Sequence, residues 1–150
     1  MMINFFYFLI WIFLLKIAYI DLKTQYIWDS DVLVVAVLAM VANLMQPKQF
    51  VPGIYGFSVA LSLGFVIFVV VKNIYGEEAF GCGDVLLLGA IGMLVKWPNF
   101  LGYFTIFAEF GGLVAVPIYF LNRTSKIYLP LSPILVSSLA LFFWMGCPSI

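Results

Sequence analysis

Apolar residues run along this chain in long blocks parted by short polar breaks. They show neither the alternation of a half-buried strand nor the two-faced pattern of a surface helix. The cleanest block, 53–72, has no charge before Lys72. Another, 100–121, is interrupted only by Glu109, and a third covers 128–146. The block at 3–20 is a fourth, with Lys16 near its end. About 20 helical residues cross about 30 Å of hydrocarbon, so each of the four predicts a spanning helix. Two shorter blocks, near 31–46 and 83–96, fit the same scheme if their ends lie inside protein rather than lipid. The pattern therefore predicts an all-α, polytopic membrane protein, a bundle of about six transmembrane helices.

The breaks carry turn residues. Gln46-Pro47-Lys48-Gln49 and Val51-Pro52-Gly53 divide the second and third blocks, and 73–83, with Glu77 and Glu78, divides the third and fourth. Lys96-Trp97-Pro98-Asn99 and Asn122-Arg123-Thr124-Ser125-Lys126 complete the set. No repeat or low-complexity run is present, and residues 1–150 read as a single transmembrane domain. No positive charge precedes 3–15 and no small-residue cleavage site follows, so this block is expected to be a retained helix, not a signal peptide.

Composition sharpens the same picture. Of 150 residues, 65% are hydrophobic and 9% charged; soluble domains run near about 45–50% and about 25%. The mean hydropathy is +1.17. Such a chain cannot cover a soluble surface, and it is too apolar for disorder. Seven basic and seven acidic residues cancel, which leaves no basic footprint for nucleic acid. There is no histidine. That removes Ser-His-Asp and Cys-His catalysis, HExxH zinc sites and histidine-ligated haem. The two cysteines, Cys82 and Cys147, form no CxxC pair, and no phosphate-binding glycine loop occurs. Chemistry is left to carboxylates, lysines, hydroxyls or Cys82.

Basic residues orient the bundle. Lys16, Lys23, Lys72, Arg123 and Lys126 fall on one side, Lys48 and Lys96 on the other. The first side is expected to be cytoplasmic, with both termini outside. Cys82 and Cys147 then lie on opposite faces, farther apart than the roughly 7 Å a disulfide spans.

Carboxylates in a membrane chain are costly and are candidates for function. Asp29 and Asp31 begin a helix, where capping explains them. Glu77 and Glu78 sit in the longest polar break, as a solvated loop. Glu109, mid-block beside Gly111-Gly112, could pair with a lysine, bond a neighbouring backbone or serve as a third functional carboxylate. Asp21 closes the first helix, as an interfacial charge beside Lys23. Asp84 follows Gly81-Cys82-Gly83 and opens an apolar helix. On local features it reads either as a capping aspartate or as a functional one, with the glycines allowing a tight turn and close approach of neighbours. The orientation places Asp21 and Asp84 at one face and similar depth. Two carboxylates meeting in a low dielectric share one proton. Such a pair can activate water and protonate a carbonyl without metal, histidine or cofactor.

Gly81-Cys82-Gly83-Asp84 resembles the GxGD motif of intramembrane aspartic proteases. Asp21-Leu22-Lys23-Thr24-Gln25-Tyr26-Ile27 is similar to the other half of the motif in the type IV prepilin peptidase branch. The stretch from Gly83 to Gly92 looks like that family's GDVKLLAALG segment. Leu129-Pro130-Leu131-Ser132-Pro133-Ile134 looks like its proline-containing approach to the last helix. The resemblance covers nearly the whole chain, including the interval between the aspartates. It implies an aspartic endopeptidase that removes the short basic leader of prepilins or pseudopilins at the cytoplasmic face, after a glycine and before a hydrophobic segment. Asp21 and Asp84 would be the catalytic pair, with Gly81 and Gly83 shaping the turn. Glu77 and Glu78 would be possible attractors for the leader.

The chain departs from the family at Leu86, where lysine is common, and at Trp28, where proline or serine is. It also lacks the paired CxxC motifs of the larger members, so a peptidase-only form is expected, without zinc or methyl transfer. The implied partners are a prepilin-like substrate and the bilayer of a bacterial or archaeal cytoplasmic membrane. Two other readings compete. One is a small ion-coupled transporter or assembly subunit using Asp21, Asp84 and Glu109. The other is a membrane aspartyl protease such as a lipoprotein signal peptidase, cutting near the outer face.

Overall fold

A computed structural model describes residues 2–75, 81–121 and 130–146. Among them lie six helices and no strand: α1 (Met2–Thr24), α2 (Asp29–Leu44), α3 (Pro47–Tyr75), α4 (Cys82–Val95), α5 (Asn99–Leu121) and α6 (Leu131–Trp144). Two of them, Met2–Thr24 and Pro47–Asn73, are long and apolar enough to cross a membrane, while α4 and α6 are short and apolar.

α4 is the centre of the bundle. Every residue from Leu87 to Val95 is buried, as expected of a helix that is hydrophobic all round. It packs on α2, α3, α5 and α6. The core around it joins Leu14 and Ile17 of α1, Val35 of α2, Phe100 and Tyr103 of α5, and Leu135, Leu139 and Phe142 of α6. The outward faces are apolar too, for example Phe5, Phe8, Phe65 and Val66.

The helix ends sort into two groups. The end of α1 meets the starts of α4 and α6, for Ile27 just beyond α1 lies against Gly83, and Asp21 against Ser132. At the opposite end, Asn43 of α2 donates to the Met93 carbonyl of α4 at 3.0 Å. There Trp97 N–H also donates to the Pro52 carbonyl of α3 at 3.0 Å.

The tightest packing joins α3 to α4 through small residues. A Cβ on Gly56 would collide with the Gly92 carbonyl, and one on Gly92 with the Cβ of Ala60. Gly56, Ala60 and Gly64 stand four residues apart, so they share one helix face. A stripe of this kind lets two backbones approach closely. Pro52 does not break the chain as its turn-like neighbours suggest: α3 begins at Pro47 and runs through it. With no N–H to give to the Lys48 carbonyl, Pro52 leaves that helical bond unmade.

Candidate active site

Asp21 lies on the last turns of α1 and is 5% exposed. Its Oδ2 accepts two hydrogen bonds from Ser132, from the backbone N–H at 3.0 Å and from Oγ at 2.7 Å. Ser132 is fully buried in the first turn of α6. Helix starts present N–H groups with no partner inside the helix, and the positive end of the helix dipole favours an acidic group there. Pro130 at the N-cap offers no side-chain acceptor, so the carboxylate that caps α6 comes from α1. Lys23 does not pair with Asp21, as their proximity in sequence suggests. Its ammonium sits over the Tyr19 ring, 4.5 Å from the centroid.

The chain leaves α1 through Gln25, whose φ is 54° and whose N–H donates to the Asp21 carbonyl at 2.8 Å. It then carries Ile27 onto α4. A Cβ on Gly83 would stand 3.0 Å from the Ile27 Cβ. Gly83 is thus needed for close approach rather than for turning. Gly81 has ordinary extended angles, φ −92° and ψ 155°, so the expected tight turn through both glycines does not occur.

Asp84 occupies the first turn of α4. Its Oδ2 accepts the Gly81 N–H at 3.1 Å, and its own N–H donates to the Gly81 carbonyl at 3.2 Å. The local capping role is therefore real. It does not exhaust the residue. Asp84 is only half-buried and lies at the same end of the bundle as Asp21. It also borders a cavity of about 260 Å³, otherwise lined by Ile67 and Val71 of α3, Leu88 of α4, Phe107 of α5, and Leu131 and Leu135 of α6.

The other candidates separate from this pair. Asp31 does not cap α2 but forms an ion pair with Lys16 of α1, Nζ to Oδ1 at 2.8 Å. Asp29 is exposed in the same first turn. Glu109 is exposed on α5, two residues and so about 200° around the helix from Phe107. Among the described residues no cluster of three or more acidic, cysteine or histidine side chains suited to a metal forms. Glu77, Glu78 and Cys147 lie outside the described residues. Cys82 is a free, exposed thiol. The two departures, Leu86 and Trp28, are both exposed, at 42% and 57%. Leu86 points away from the face that carries Asp84.

Ser132 is the site residue that sequence reasoning passed over. Its signal was a small hydroxyl between Leu131 and Pro133 at the start of the last helix. Nothing in the primary structure says which carboxylate it serves.

A pair of carboxyl groups is the chemistry that can divide the work of a general base and a general acid. No curated protein and no solved structure matches this chain. The model of the type IV leader peptidase family matches residues 8–121, which include both aspartates and the glycines before Asp84. That match extends over most of the chain, and the protein accordingly belongs to the type IV leader peptidase family.

Proposed function

We propose that this protein is an aspartic endopeptidase that removes the short basic leader of type IV prepilins or prepilin-like proteins at the cytoplasmic membrane face. Its six helices form a single transmembrane peptidase domain with both termini outside, oriented by the five-to-two division of basic residues. Asp21 and Asp84 are the catalytic pair. The observation that carries this reading is that the end of α1 and the start of α4 lie together, Ile27 against Gly83, so that Asp21 and Asp84 belong to the same end of the bundle.

Hydrolysis follows from that arrangement. The ionised carboxylate takes a proton from water, whose oxygen bonds to the scissile carbonyl carbon. The protonated carboxyl gives its proton to the carbonyl oxygen. The tetrahedral intermediate then collapses, the C–N bond breaks and the leaving amine collects a proton from the carboxyl now carrying one. Ser132 holds the Asp21 carboxylate in orientation throughout. Glu77 and Glu78 attract the basic leader to the cytoplasmic mouth.

The test replaces Asp21 or Asp84 with Asn and follows leader removal from a prepilin in membranes. Each change alone is expected to abolish processing, since residues acting as a unit fail as a unit. Wild-type processing by either variant rejects the assignment.

A further inference from the structure

Resting on that reading, we propose that Ile27 is a positioning residue for the reaction. Its side chain is the spacer that fixes the start of α4, and with it Asp84, against the end of α1 that carries Asp21.

The contact is made by atoms that cannot swing aside. A Cβ on Gly83 would stand 3.0 Å from the Ile27 Cβ, 3.2 Å from its Cγ2 and 3.5 Å from its carbonyl oxygen. The glycine therefore rests on the branch point of the side chain and not on a mobile tip. A β-branched side chain is stiff at χ1, so this contact shifts only when backbone shifts. Gly83 directly precedes Asp84 in the first turn of α4, and any movement of the one passes to the other.

The backbone beneath Ile27 is tied on both sides. Residues 25–28 alone join α1 to α2. Before Ile27, the Gln25 N–H donates to the Asp21 carbonyl at 2.8 Å. The Thr24 hydroxyl lies 2.9 Å from the Ile20 carbonyl and 3.4 Å from that of Tyr26. After it, the Trp28 carbonyl accepts from the N–H groups of Asp31 and Val32, at 3.0 and 3.3 Å. So short a link, bonded at each end, sets the height of Ile27 relative to Asp21. The carboxylate of Asp21 is held in turn by Ser132.

Burial alone is a weak reason for this contact. Ile27 is only partly buried, and Tyr26 and Trp28 beside it are exposed. Catalytic geometry is less forgiving, since a misplacement of about 1 Å can lower a rate about a hundredfold.

The experiment uses the full-length protein in liposomes with a prepilin substrate, reading kcat and KM per folded molecule and the melting point. Ile27→Ala is expected to lower kcat at least about tenfold while KM stays within about twofold. Ile27→Val keeps Cβ and both γ carbons and should recover kcat to within about twofold of the wild type. Ile27→Leu conserves volume, which a core tolerates best, but moves the branch away from Cβ. It is expected to fold and to lose kcat at least about fivefold. Gly83→Ala presses a methyl onto Ile27 and should lower kcat at least about tenfold. Adding Ile27→Ala withdraws Cγ2 from that methyl, so the double variant should be at least about fivefold faster than Gly83→Ala, where independent losses would multiply. Wild-type kcat in folded Ile27→Ala or in Ile27→Leu overturns the positioning role. So does a double variant no faster than Gly83→Ala. Each of these leaves the peptidase reading intact. Failure of the wild type to cleave the prepilin overturns that reading, and the role of Ile27 with it.

Discussion

At the end of the bundle away from the aspartates, α3 and α4 meet backbone to backbone. Gly56 and Gly92 leave no room even for a Cβ, Asn43 bonds the Met93 carbonyl, and Trp97 bonds the Pro52 carbonyl. At the aspartate end the same helices stay in contact as far as Gly64, which touches Val85 and Leu88. Beyond it, Ile67 and Val71 border a cavity. Polar groups follow the same division. Asn43 serves cohesion, while Asp21 and Asp84 lie together at the other end, capping the starts of α6 and α4. A clamp at one end fixes the axis of α4, so the other end can leave space beside Asp84 without losing its position.

Breaking the clamp should have the largest effect. Gly92→Leu forces a side chain into the Gly56 backbone and Ala60, groups that cannot swing aside. We expect a loss of about 3 kcal/mol or more, read as a collapsed melting transition in detergent. A variant that melts like the wild type would show that the seam holds nothing.

The next change sharpens the other end. Ser132→Ala removes the Oγ donor to Asp21 and leaves the N–H. A hydrogen bond to a charged group contributes about 1.5–3 kcal/mol, so processing should slow about tenfold to a hundredfold. The loss should fall on kcat more than on KM, and Ser132→Thr should recover much of the rate. A lower melting point with normal kcat would make Ser132 a structural residue only.

Asn43→Ala strands the Met93 carbonyl and should cost about 1–3 kcal/mol, with the processing rate per folded molecule unchanged. A rate defect would mean that the clamp and the aspartate end are coupled. Smallest is Asp31→Asn, which removes the buried charge and leaves Lys16 half exposed; a pair with an exposed member contributes about 0–1 kcal/mol. Its melting shift should shrink further in high salt.

How much could be read beforehand differs by feature. The six helices were legible because apolar blocks of the right length have few other stable forms. Their boundaries were less so: Pro52 signals a break, yet α3 runs through it. The GxGD motif pointed to Asp84, but the reason assigned to its glycines was half wrong. Gly83 is small because Ile27 packs on it, and Gly81 has unremarkable angles. Asp31 looked like a cap because it opens a helix, and its partner Lys16 lies fifteen residues back on α1. Lys96 counted as a loop charge. It is 5% exposed, with φ 66° and no hydrogen-bond partner for Nζ among the described residues.

By itself the primary structure determined the helical class, the apolar surface and the short roster of groups able to do chemistry, because each follows from local composition and periodicity. It could not decide which of those groups meet. That two carboxylates from α1 and α4 converge, that a serine of α6 orients one, and that open space adjoins the other depend on how helix axes cross. Those crossings are set by contacts such as Gly56 on Gly92, between residues distant along the chain.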